Sequence, residues 1–132
     1  MENQKLEGKM QNHKAKFKSD LKVRCYMFSL AIIKLTDKLP QKRSAWIISD
    51  QLIRSGTSVG ANLVEAHAAS SRLEFKKFHE IALKSANETK YWLGLLRDAH
   101  LAERDVVEPL LIEITEIANM IASGVIKLKN KK

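Results

Sequence analysis

The chain has 132 residues, 45% of them apolar and 29% charged, with a formal net charge of +8 and a single cysteine. That is enough chain to bury one core in one domain, while a lone Cys25 excludes an internal disulfide and cannot by itself make a zinc site. The opening MENQKLEGKMQNHKAKFKSD is polar, without the apolar segment of a secretory leader, and no stretch approaches the length of continuous apolar sequence that a membrane span needs. A cytoplasmic protein with no membrane association is the expectation.

Residues 1–19 read as a basic N-terminal arm. The first helical pattern then runs over residues 20–38, with Val23, Met27, Leu30 and Ile33 on one face, and Pro40 closes it because a helix rarely continues into proline. The second runs over 44–69, with Ser44 as its expected N-cap. Ser71 and Glu74 have the spacing of a capping box for a third helix over 72–100. Phe75, Phe78, Ala82, Ser85, Thr89, Trp92, Leu96 and Ala99 recur there at alternating steps of three and four, a seam that faces another helix in bundle packing. Phe75, Phe78 and Trp92 are expected in the core. The fourth helix, 103–129, carries Val107, Leu110, Leu111, Ile114, Ile117, Ala118, Ile121, Val125 and Leu128, and 130–132 are a basic tail. Pro109 lies outside the longest periodic run. No segment alternates like a strand, and short connections make sequential helices antiparallel. The fold class is therefore all-α, an up-down-up-down four-helix bundle.

This topology gathers charge. Residues 1–44 and 127–132 hold 15 Lys and Arg against 4 Asp and Glu, whereas 45–126 hold 8 against 11. The start of helix one, the turn between helices two and three, and the end of helix four share one pole. Lys14, Lys16, Lys18, Lys22 and Arg24 thus approach Arg72, Lys76 and Lys77, with Lys127, Lys129, Lys131 and Lys132 beside them. Such convergence of sequence-distant cations is an electrostatic footprint for RNA or another acidic partner. Basic ends that only aid solubility are the alternative.

The stretch RSGTSVGANLVEA, Arg54 to Ala66, matches the bare pattern G-x-S-x-G but has neither the preceding strand of a nucleophile elbow nor the lysine of a phosphate loop. Ile48, Leu52, Ser55, Val59, Asn62 and Ala66 instead carry a helical seam straight through it. Its small residues thin the helix so that a neighbour can approach. Ser58, Asn62 and Glu65 lie near Ser55 on one side of helix two, and Ser85, Glu88, Thr89 and Trp92 lie along helix three. In a hairpin turning near Ser70, Ser55 falls level with Ser85 or Thr89, while Glu65 and Glu88 stand turns apart, too far for a paired acid and base.

The run from Gln51 to Leu101, above all RSGTSVGAN with the following Glu65, then EF, then ALKSANETKYWL, resembles the small bacterial four helix bundle proteins, the S23 or 23S rRNA intervening-sequence protein family. The resemblance implies an up-down bundle assembling into a ring-shaped homopentamer. Some members are encoded within insertions in 23S ribosomal RNA genes, and related proteins serve diversity-generating retroelements, engaging a reverse transcriptase and RNA. It implies no catalytic activity and no cofactor. By that likeness Ser58, Asn62, Glu65, Ser85, Glu88 and Trp92 occupy motif positions, with a structural role.

No Glu-x-x-His pair of a di-metal bundle occurs, and no metal is expected. Arg72 and His79 form R-x6-H, which resembles the ribonuclease motif of HEPN bundles, with His79 as acid/base and Arg72 stabilising phosphate charge, although Leu73 stands where a polar residue usually follows. Tyr26, Trp46, Ile47, Leu63, Val64, Tyr91, Leu93 and Leu95 are candidates for a subunit interface. The resulting expectation is a non-enzymatic homo-oligomeric scaffold binding RNA or a ribonucleoprotein through the basic pole. A protein–protein adaptor is the rival and a HEPN-like ribonuclease the distant third.

Overall fold

The structure, a computed structural model, describes the backbone of residues 20–130 and the side chains of 20–126. Lys14, Lys16, Lys18, Lys131 and Lys132 lie outside the described residues, as do the side chains of Lys127, Leu128 and Lys129. Four helices follow one another: α1 Leu21–Asp37, α2 Arg43–His67, α3 Arg72–Asp98 and α4 Arg104–Asn130. Each packs against two neighbours in the cycle α1–α2–α3–α4–α1, and the α2–α3 pair is the most extensive. This is a four-helix bundle.

Local chemistry sets the ends. Asp20 caps α1, its Oδ1 accepting from the Val23 amide at 3.3 Å. Ser71 caps α3, accepting from the Glu74 amide at 3.1 Å, while the Glu74 carboxylate accepts from Ser70 Oγ at 3.3 Å and does not close the second half of a capping box. Ser44 is not a cap: α2 begins one residue earlier, and Lys42 occupies the N-cap without a side-chain bond. Pro109 stands inside α4, in its second turn, where its exposed position tolerates one missing intrahelical bond. α3 ends in a Schellman motif, with Leu101 N–H donating to Leu96 O at 2.9 Å and His100 N–H to Arg97 O at 3.1 Å. His100 adopts φ 59°, the left-handed conformation that a glycine would take with less strain.

The core is built from Phe28, Ile32, Leu52, Val59, Leu63, Leu93, Leu96, Ile114, Ile117 and Ile121, with their buried neighbours. Three expectations change. In α1 the buried face is Cys25, Phe28, Ile32 and Leu35, whereas Met27, Leu30 and Ile33 are exposed. α1 is apolar on two sides, so periodicity alone did not tell which side faces inward. Leu63 and Leu93, candidates for an outer face, are core residues, because each helix contacts two neighbours and buries a stripe wider than a single seam. Phe75, Phe78 and Trp92 are only half-buried; Ala82, Ala86 and Leu93 fill the centre of α3 instead.

The thin stretch of α2 does lie where α1 comes close. A β-carbon on Gly60 would meet Cys25 Cβ at 3.1 Å, and one on Gly56 would meet Ile32 Cγ1 at 3.3 Å. A side chain at either position would crowd α1, more so at Gly60. By length and composition alone, Arg104–Ile126 could cross a membrane. Here it packs Val107, Ile114, Ile117, Ile121 and Val125 into the core and turns Glu113 and Glu116 to Arg24.

Candidate nucleic-acid interface and polar seam

The polar seam forms as the register predicts. Thr89 and Ser55 hydroxyls lie 3.0 Å apart, and Ser85 Oγ donates to Ser58 Oγ at 2.9 Å. Asn62 Nδ2 donates to Ser58 Oγ at 2.9 Å and to the Ser58 carbonyl at 2.8 Å. Ser55, Ser85 and Thr89 are buried, and among the described residues no buried side-chain nitrogen or oxygen lacks a partner. Hydroxyls that satisfy one another across a hairpin fix its register; they leave no unsatisfied group poised for chemistry.

Glu88 and Trp92 belong to a second network at the edge of the same hairpin. Trp92 Nε1 donates to Glu88 Oε2 at 2.9 Å, and Arg54 donates to that carboxylate and, at 2.8 Å, to Gln51 Oε1. The Trp92 hydrogen bond, helped by Arg54 and opposed by partial desolvation, holds the Glu88 carboxyl below its ordinary value. Tyr91 stacks edge-on against Trp92, with ring centroids 5.0 Å apart. Arg54 and Gln51 escaped the sequence reading, since nothing in the spacing says which α2 side chains reach Glu88. Glu65 is exposed, and its carbonyl accepts from the Ala68 amide at 3.1 Å as α2 ends.

The basic pole is reduced relative to expectation. Arg24 is not available to phosphate: its side chain is only 14% exposed, and its guanidinium donates to Glu113 Oε1 at 2.5 Å, to Glu113 Oε2 at 3.0 Å and to Glu116 Oε2 at 3.0 Å. Lys76 lies 3.7 Å from Glu80. Lys22, Arg72 and Lys77 are exposed, and among the described residues none pairs with a carboxylate. Gly124 faces His79 and Arg97 contacts Glu108, so the end of α4, which carries the backbone of Lys127 and Lys129, runs beside the start of α3. Because Cys25 faces Gly60 and α2 continues to His67, the α2–α3 turn projects about one turn past α1. Lys22 therefore lies further from Arg72 than a flush bundle would place it.

Beside these cations, Phe75 sits between two imidazoles, 4.4 Å from His79 and 6.2 Å from His67 between ring centroids. His79 Nδ1 lies 3.0 Å from the Phe75 carbonyl, which can only accept, so Nδ1 carries the proton and Nε2 is left as the basic nitrogen. Arg72 and His79 share one face of α3 two turns apart. Among the described residues no group of three or more His, Cys, Asp or Glu could hold a metal ion. Cys25 is buried against Gly60, and burial pushes its thiol up to about 12, so it is a packing residue without thiolate reactivity.

The family described as 23S rRNA-intervening sequence protein matches residues 17–123. A crystal structure of a protein of unknown function from the S23 ribosomal protein family of Bacteroides thetaiotaomicron is similar, with 38% sequence identity and a TM-score of 0.75, covering 80% of this chain and 97% of that one. No curated protein matches. The match spans all four helices through residue 123, including the hydroxyl seam and the Glu88 network, and on it the chain belongs to the 23S rRNA-intervening sequence protein family.

Proposed function

We propose that the protein is a non-enzymatic, homo-oligomeric helical scaffold that binds RNA or a ribonucleoprotein through its basic pole. The observation that carries this reading is the exposed pair Arg72 and Lys77 at the α2–α3 turn, without carboxylate partners among the described residues, beside the end of α4 that leads into Lys127, Lys129, Lys131 and Lys132. Contacts of this kind neutralise phosphates and carry little sequence selectivity. The family's description, which refers to a sequence intervening in 23S ribosomal RNA, supports an RNA connection, and a reverse transcriptase is the protein component we propose for such a ribonucleoprotein.

Self-assembly rests on a separate feature. α1 turns Tyr26, Met27, Leu30 and Ile33 outward, with Tyr26 66% exposed, and Trp46 on α2 is 62% exposed. An apolar face of this extent on a single chain fits a subunit interface, and a closed ring such as a homopentamer is one arrangement that would cover it in every copy. A ring would repeat the basic pole around its axis, so weak phosphate contacts would add by avidity.

The test is a titration of a structured RNA at several salt concentrations with the intact protein, with Arg72→Gln/Lys77→Gln, and with residues 127–132 deleted. Affinity that falls steeply with salt, with a shallower slope in both variants, supports the reading. Salt-independent or absent binding turns the search to protein partners.

A further inference from the structure

At the end of the bundle opposite Arg72, the last turns of α1 and α3 and the start of α4 border a half-open cleft of about 640 Å³. Its apolar wall comes from Leu35, Leu39, Leu101 and Val106, and Leu35 and Val106 belong to separate helices, α1 and α4. This volume is in the range of small-molecule sites, and beside the apolar wall the lining carries Lys38, Arg97, Asp98, His100, Glu103 and Arg104.

The lining carries Lys38, Arg97 and Arg104 against Asp98 and Glu103, and Glu108 lies just beyond it. Asp98 is already held by Arg97, with Nε to Oδ1 at 2.8 Å and Nη2 to Oδ2 at 3.3 Å. Arg97 Nη1 also donates to Glu108 at 2.9 Å. The Lys38 ammonium has no carboxylate partner among the described residues, and Arg104 reaches Glu108 only at 3.7 Å. Glu103 is the remaining acid of the lining and is exposed.

His100 is the second observation. It lines the cleft from the left-handed position of the Schellman motif, where glycine closes the turn with less strain. A side chain held there against backbone preference points to a use for the imidazole.

We propose that this cleft binds a small anion with an apolar body, a carboxylate or an alkyl phosphate, whose head is held by Lys38, His100 and Arg104 while its chain lies against Leu35, Leu39, Leu101 and Val106. The site is independent of the RNA reading and lies at the other end of the molecule. It would let the scaffold respond to a metabolite without obstructing the basic pole.

The full-length protein, labelled for backbone amide NMR, is titrated with octanoate, octyl phosphate, octanol and octylamine. The two anions are expected to shift the amides of Leu101, Ala102 and Glu103 saturably, and their relative affinities say which head group is preferred. Octanol and octylamine shift them far less. Lys38→Gln weakens the anions by about tenfold, the loss of one charge-assisted contact. His100→Gly weakens them similarly while raising Tm by about 2–4 °C as strain is relieved. The proposal is overturned if no anion binds, if octanol binds as well as octanoate, or if His100→Gly either retains full binding or melts lower than the parent.

Discussion

Thr89 on α3 and Ser55 on α2 bring their hydroxyl oxygens to 3.0 Å inside a seam where both residues are fully buried. Each hydroxyl has one proton and two lone pairs. Thr89 Oγ1 also lies 2.8 Å from the Ser85 carbonyl, and Ser55 Oγ lies 3.4 Å from the Leu52 carbonyl. A chain from Ser55 through Thr89 to Ser85 satisfies every group, and it does so only at this register. Thr89→Val keeps the shape and removes the link. It is expected to destabilise by on the order of 1–2 kcal/mol, with Ser55→Ala/Thr89→Val costing clearly less than the sum of the single changes. Denaturant unfolding of the four proteins measures the coupling, and strict additivity would show the hydroxyls to be independent.

The glycines separate into two kinds. A β-carbon on Gly60 would crowd Cys25 Cβ at 3.1 Å, a contact with no flexible end to yield, whereas Gly94 has nothing within 4 Å. Gly94→Ala removes unfolded-state freedom and adds helix propensity, so it is expected to stabilise by about 0.5–1 kcal/mol. Gly60→Ala pushes α1 away from α2 and is expected to destabilise by about 1–3 kcal/mol. Urea midpoints read both, and a destabilised Gly94→Ala would mean that its apparent space is occupied in solution.

Arg24 tests the division between structural and binding cations. It joins α1 to α4 through Glu113 and Glu116, with the Met120 sulfur 3.5 Å from Nη1. Its hydrogen bonds to Glu113 raise its pKa further above the ordinary arginine value, so it is charged at every working pH. Arg24→Gln is expected to lower stability by on the order of 1 kcal/mol, since partly exposed carboxylates lose their partner. The salt dependence of RNA binding should stay unchanged, whereas Lys77→Gln should do the reverse. A variant of Arg24 that altered the salt slope and not the melting temperature would return it to the binding surface.

Glu88 gives a pH dependence whose sign follows from its depressed pKa. The Trp92 bond and Arg54 favour the carboxylate in the folded state, so the folded protein binds this proton less readily than the unfolded chain. The contribution is present above the ordinary glutamate value of 4.5 and fades as pH falls through the lower folded value. Because the group is about one-third exposed, the effect is a fraction of a kcal/mol. Melting curves of the parent and Glu88→Gln between pH 7 and 3 should therefore converge below 4.5. A gap that widens on acidification would reverse the sign and sink the assignment.

The α2–α3 register was legible because small polar residues sit on a strict seam and the Ser70–Ser71 turn leaves little slack. With the turn fixed, Ser55 could only meet residues near Thr89. What escaped has a common physical cause. Arg24 and Arg54 act through partners on other helices, and those depend on which face of each helix turns inward. α1 shows the difficulty plainly: Cys25, Phe28, Ile32 and Leu35 form one apolar stripe, while Tyr26, Met27, Leu30 and Ile33 form another, and a single sequence does not rank them. Arg24 was grouped with the basic pole on position along the bundle alone, which says nothing of the side of α1 it occupies.

That second stripe yields the last prediction. Tyr26, Leu30 and Ile33 remain exposed on one chain although their neighbours on the same helix are fully buried. If copies of the chain cover this face, a charge placed there must be desolvated against apolar surface in every interface, at a cost of several kcal/mol that repeats around a closed assembly. Tyr26→Glu/Ile33→Glu is therefore expected to yield a monomer by native mass measurement, with helical content retained because neither side chain enters the core. The parent protein should run as a multiple of its 15.0 kDa chain. A parent that is monomeric at micromolar concentration would sink the ring and leave the stripe as a surface for a different protein. A variant that keeps the parent's mass would move the interface elsewhere, with the exposed Ile112 and Ile126 of α4 next to be tested.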